Sequence, residues 1–130
     1  MIQPITNIKV FDNSGINFLK CIKIYKKVPY SIGKVGDIFL GVVVSIKKGA
    51  IKKKHKKGDI VYCLLIKSKV NEINQKNSGI YVKNINNCGG VIIKEVNQNS
   101  DVLNSRLFGY ISYKSIIKSP KLKNLTKYVV

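Results

Sequence analysis

Short apolar runs rich in isoleucine and valine recur along this chain at roughly ten-residue spacing, with glycine or Asx residues at the corners. Runs of this length are short for packed helices, and β-branched side chains suit a pleated, half-buried surface. In residues 7–11 the apolar side chains alternate through Ile8 and Val10, Asp12-Asn13-Ser14-Gly15 gathers four turn formers, and residues 16–26 resume an extended pattern. That order predicts strand, turn, strand. After a break over residues 33–37, residues 38–46 read as a buried strand, and residues 60–66 as another beyond Gly58-Asp59. Residues 80–85 and 91–96 read as a hairpin with a Gly89-Gly90 corner, residues 106–111 as a further short strand, and Pro120 splits the tail into two helical turns. Six or seven short strands predict an all-β fold, a small closed barrel or a sandwich, with no repeat and no second domain in view.

Charge narrows the partner. Lysine and arginine total 24 against 6 acids, a formal net charge of +18, while 45% of the residues are hydrophobic. At 130 residues that apolar content supports a core without disulfides or a structural metal, so this is a folded basic protein rather than a disordered tail. The excess charge repels itself in the compact state, and a large polyanion is the usual partner that offsets it. Arg106 is the only arginine, and the chain is rich in Ile and Asn as well as Lys, residues with AT-rich codons.

The inventory for catalysis is thin. Cys21, Cys63 and Cys88 form an odd set without a C-x-x-C pair, and His55, the only histidine, sits among lysines, which argues against zinc sites and disulfides. Cys21 and Cys63 lie in apolar strands and read as small buried hydrophobes, Cys88 as a turn residue. Asp37 and Asp59 follow glycines at strand starts and Asp12 opens a turn, each with a backbone-capping explanation. No nucleophile elbow is present, and Gly33-x-x-Gly36 precedes a strand rather than a helix. We therefore expect no catalytic residue, no metal and no cofactor. The longest apolar stretch, residues 38–44, falls far short of the roughly 20 residues that span a bilayer, and no basic amphipathic helix is visible, so no membrane partner is expected.

The loop at residues 47–57 stands out. Lys47, Lys48, Lys52, Lys53, Lys54, Lys56 and Lys57 surround His55 with no acid among them, and like charges at this density repel unless a polyanion lies against them. Lysines position a phosphate backbone rather than read bases, which favours recognition of folded RNA by shape. The aromatics are scattered, so a free RNA chaperone stacking single strands on Tyr25, Tyr62 or Tyr81 is the alternative.

Five strings in register, Asp12-Asn13-Ser14-Gly15 with Cys21-Ile22-Lys23, then Val35-Gly36-Asp37, Lys56-Lys57-Gly58-Asp59 and Arg106-Leu107-Phe108-Gly109, resemble the fourteenth large-subunit ribosomal protein of bacteria and organelles. The likeness runs from Met1-Ile2-Gln3 through Gly109. It implies a single domain: a closed five-stranded β-barrel with an added hairpin over residues 1–111, then a short helical extension over 112–130. It also implies a structural role without enzymatic activity, on the interface side of the large subunit. The expected partners are large-subunit rRNA, neighbouring ribosomal proteins, small-subunit rRNA across an intersubunit bridge, and a ribosome silencing factor that can dock on the same face.

By position, the resemblance makes Lys23 and the loop residues Lys47, Lys48, Lys52, Lys53, Lys54, His55, Lys56 and Lys57 the rRNA-facing set. Ser105 and Arg106 match the family's interface Thr-Arg pair, and Lys114 and Lys118 extend that face. The chain departs from the family at Asn84, at the extra glycine of Cys88-Gly89-Gly90, in a longer basic loop, at Tyr110 in place of a proline, and at Tyr113-Lys114-Ser115. A family-type Met-Ile-Gln start without a presequence, together with the AT-rich composition, points to an organelle-encoded protein of the mitochondrial matrix, with the plastid as the alternative.

Overall fold

The structure, a computed structural model, describes residues 2–49, 54–68, 88–96 and 100–129. Five strands close a barrel in the order β1 (Asn7–Val10), β2 (Ile16–Ile24), β3 (Ile38–Ile46), β4 (Ile60–Lys67) and β5 (Gly89–Ile92). Neighbours pair antiparallel except at the seam, where β5 runs parallel to β1 with Lys9 opposite Gly89 and Val10 opposite Gly90. The expected all-β barrel is what the chain forms, and β3 has the bounds its apolar run predicted. Closure gives each barrel strand a neighbour on both sides.

Period-2 alternation fills the interior. Ile8 and Val10 of β1, Leu19 and Cys21 of β2, Phe39 and Val43 of β3, and Cys63 and Leu65 of β4 point into one core. From Cys63 onward β4 is buried on both faces, which explains its continuous apolar run there: Leu64 and Ile66 face outward into a second cluster with Val91, Ile93, Ile111 and Leu122. The chain's last segment supplies that cover. After β6 (Tyr110–Ile111) come α1 (Tyr113–Lys118), α2 (Leu122–Leu125) and β7 (Tyr128–Val129), the last pairing parallel with β6. Ser112 N–H donates to the Ile66 carbonyl at 3.1 Å, and the Ser115 hydroxyl to the Leu65 and Ile66 carbonyls at 3.3 Å each, pinning the tail to β4. The two helical turns divided at Pro120 are thus both present.

Three expectations need correction. Gly89 and Gly90 are no hairpin corner; they are the first two residues of β5, hydrogen-bonded within the sheet between β1 and β4. Close packing explains them: a Cβ on Gly90 would meet Cys63 Sγ at 2.5 Å, and one on Gly89 would meet Lys67 Cγ at 2.6 Å and Phe11 Cε2 at 2.7 Å. Cys88 is likewise not a turn residue but part of the buried core, its carbonyl accepting the Lys9 N–H at 3.0 Å. The strand expected over residues 106–111 shrinks to Tyr110–Ile111, because Gly109, at φ 83°, bends the chain; Leu107 makes only an isolated bridge to Asp12. The other expected hairpin arm, residues 80–85, and Asn84 lie outside the described residues.

Candidate nucleic-acid interface

The basic loop leaves the barrel at one rim. β3 outruns β4: Val42 pairs with Ile60, whereas Ile46, four residues on, is paired with Ile16 of β2. Lys47 N–H then donates to the Gly15 carbonyl at 2.7 Å, starting the loop beside the β1–β2 turn. Its return is a tight turn in which Asp59 Oδ2 accepts the Lys56 N–H at 2.7 Å and Gly58 takes φ 94°. The aspartate is committed to its own backbone, the capping role its position predicted.

Lys48, Lys54, Lys56 and Lys57 are exposed, and Lys23 is exposed on β2. Lys52 and Lys53 lie outside the described residues. His55 is half-buried, with no hydrogen bond to Nε2 among the described residues. Lys47 is drawn inward: its ammonium donates to the Asp12 carbonyl at 3.3 Å and lies 5.5 Å from the Phe108 ring centroid.

That inward turn joins two sites that stand far apart in the sequence. Phe108 N–H donates to the Phe11 carbonyl at 2.8 Å, and Asn13 Nδ2 to Ser105 Oγ at 3.4 Å, so the segment carrying exposed Ser105 and Arg106 lies against the β1–β2 turn beside which the basic loop starts. Asp12 organises the junction. Wholly buried, its Oδ1 accepts from the Ser14 N–H and hydroxyl, and its Oδ2 from the Ile92 N–H at 3.0 Å and Asn104 Nδ2 at 3.1 Å. Lys114 and Lys118 lie four apart on α1, half-buried and exposed respectively, next to Gly36, where a Cβ would sit 3.2 Å from the Lys114 carbonyl oxygen.

Two features went unread in the sequence. Lys67, 9% exposed, sets its ammonium 3.5 Å from the Phe11 ring centroid and 4.7 Å from that of Tyr110. Burial, with Lys9 adding, lowers its pKa from 10.5 to about 8. Nothing in a lysine-rich sequence marks this one lysine as internal. The second is the turn Val28-Pro29-Tyr30-Ser31, closed by the Ser31 N–H on the Val28 carbonyl at 3.1 Å, with Tyr30 at φ 67°. Proline followed by a positive φ is a type II turn, whose third position ordinarily takes glycine or asparagine. The proline was the signal available.

Among the described residues no group of three or more His, Cys, Asp or Glu side chains gathers as metal ligands. Burial pushes the Cys21 thiol up to about 11 and Cys63 well above its ordinary value, with Asp12 adding to the latter, so both are protonated and inert near neutrality. A closed small barrel with cations displayed at its rim offers a surface of the charge that suits a polyanion.

Residues 1–130 match the family described as ribosomal protein L14p/L23e. The chain is also 33% identical to the large ribosomal subunit protein uL14m of Dictyostelium discoideum, with all of both chains covered. The chain belongs to the L14p/L23e family of ribosomal proteins, and is a structural constituent of the large ribosomal subunit rather than an enzyme.

Proposed function

We propose that the chain binds large-subunit rRNA through the loop over residues 47–57, with Lys23 as a further contact, and that Ser105 and Arg106 help to form a bridge to the small subunit. The single observation that carries this reading is the rim itself: exposed Lys48, Lys54, Lys56 and Lys57 lie on the β3–β4 loop, which starts beside the β1–β2 turn that the Arg106 segment packs against. One face then serves rRNA while its neighbour stays outward for the other subunit. Likeness to the Dictyostelium uL14m protein supports the mitochondrial ribosome as the site of action. Neighbouring large-subunit proteins are the expected protein partners, and a silencing factor would use the outward face, with Lys114 and Lys118 in reach of it.

The test is sedimentation of mitochondrial lysate through sucrose in high salt, following this chain by mass spectrometry. Retention in the large-subunit peak is expected of an rRNA-buried constituent. Contacts made by phosphate alone weaken by roughly 0.7–0.9 log units per neutralised phosphate for each log unit of salt. Release into light fractions would instead fit a peripheral RNA chaperone using exposed Tyr25 and Tyr62; Tyr81, also considered for that role, lies outside the described residues.

A further inference from the structure

Between β2 and the β2–β3 connection lies a cleft of which only Lys23 has been given a role. It measures about 400 Å³ and is lined by Pro4, Ile22, Lys23, Val28, Pro29 and Tyr30, with Lys27 at its rim. A register shift between Cys21 and Lys23 turns two consecutive side chains, Ile22 and Lys23, out of the barrel and into it. The connection is anchored on the other side: Ile2 and Gly33 exchange backbone hydrogen bonds at 2.9 and 2.7 Å, and Lys27 bonds the Ile32 carbonyl at 3.0 Å and Asp37 at 2.6 Å. The cleft is therefore built, not a gap between loose ends.

One residue lining it and one beside it cost the isolated fold. Tyr30 holds a left-handed backbone that glycine would hold without strain, and its ring is 88% exposed. Ile5, next to Pro4, is a β-branched residue at φ 75° and 71% exposed. Neither gains burial in the free chain.

We propose that this cleft takes an unstacked nucleotide of the rRNA, the base against Tyr30 and Ile22 and its phosphate on Lys23. The inference rests on the rRNA-binding reading and deepens it. Charge decides the class of occupant: no acid lines the cleft among the described residues, Lys27 is already paired, and Lys23 has no partner there. An apolar floor beside a free cation fits a flat base joined to a phosphate. A peptide would leave Lys23 without a counter-charge unless it carried an acid, whereas every nucleotide brings a phosphate.

The experiment is short-wavelength ultraviolet cross-linking of intact large subunits carrying this chain, followed by nuclease, trypsin and mass spectrometry. A nucleotide adduct is expected on the tryptic peptide 28–34, retained in Tyr30→Phe and lost in Tyr30→Gly. The glycine variant relieves the turn, so it still folds and assembles. In a binding assay with the large-subunit rRNA transcript, Tyr30→Gly is expected to weaken affinity roughly 5- to 140-fold, the range for one stacked base, without altering the salt slope. Adducts confined to the basic loop would overturn the cleft proposal and leave the rRNA reading standing. A peptide cross-linked at Tyr30 would overturn it in favour of a protein partner. Absence of nucleotide adducts anywhere on the chain would remove both.

Discussion

Asp12 Oδ2 accepts the backbone N–H of Ile92 at 3.0 Å, joining the β1–β2 turn to the end of β5 across 80 residues of sequence. The same carboxylate closes its own turn at Ser14 and holds Asn104. The β1–β5 seam, the origin of the basic loop and the Arg106 segment thus share one buried anchor whose hydrogen bonds are all made within the protein.

Removing that anchor should be costly. Asp12→Ala leaves the Ile92 N–H buried without an acceptor, and we expect a loss of about 3 kcal/mol in denaturant unfolding. Asp12→Asn keeps one acceptor oxygen and should lose less than half as much. Equal losses would mean that the carboxylate only fills space.

Gly90 lies diagonally beside Cys63 on the neighbouring strand. Gly90→Ala should destabilise by about 1–3 kcal/mol, because its Cβ has nowhere to go against the sulfur. Pairing it with Cys63→Ala opens that space, so the double variant should be less destabilised than the sum of the two single ones. Strict additivity in the cycle would show that the clash is relieved elsewhere.

Lys67 and the buried thiols give the unfolding curve a pH signature. The folded Lys67 pKa lies near 8, below its unfolded 10.5, so the unfolded chain keeps the proton longer and stability rises with pH from about 8 towards 10.5. Cys21 acts oppositely: its thiol is pushed from 9.0 to about 11, so the folded state keeps a proton that the unfolded chain sheds, and stability falls from about pH 9 to 11, with Cys63 in the same sense. Midpoints measured in urea should rise between pH 8 and 9 and then flatten or fall. In Lys67→Met the rise should vanish while the fall above pH 9 remains.

The exposed loop lysines should act as independent phosphate contacts. Replacing Lys54, Lys56 and Lys57 together by Gln should lower the slope of log affinity against log salt for rRNA by about 0.7–0.9 for each phosphate left without its cation. Charge reversal of the same three to Glu should abolish incorporation into the subunit. An unchanged slope with normal incorporation would remove the loop from the interface.

Arg106→Glu separates assembly from joining. Large subunits carrying it should form at normal yield and hold this chain, while their association with small subunits at ordinary magnesium should weaken on a gradient. Full association would take the bridge role away from this residue.

What the sequence by itself determined is whatever local pattern controls. The β-branched run over residues 38–46 specified the bounds of a strand, the Asx and glycine corners placed the turns, Pro120 divided the tail, and the lysine run marked the cationic loop. These signals lie within a few residues of the structure they specify. Tertiary structure alone decided the rest. Gly89-Gly90 reads as a corner until β1 and β4 are brought against it, and only then does the missing Cβ become room for Cys63 and Lys67. Lys67 is one lysine among many until Phe11 and Tyr110 close over it, and Lys47 turns inward only because Phe108 comes to lie beside it. Asp12 is an ordinary turn opener until Ile92 arrives from 80 residues away. Each depends on contacts between distant segments, whose geometry closure of the barrel fixes and no local run of residues encodes.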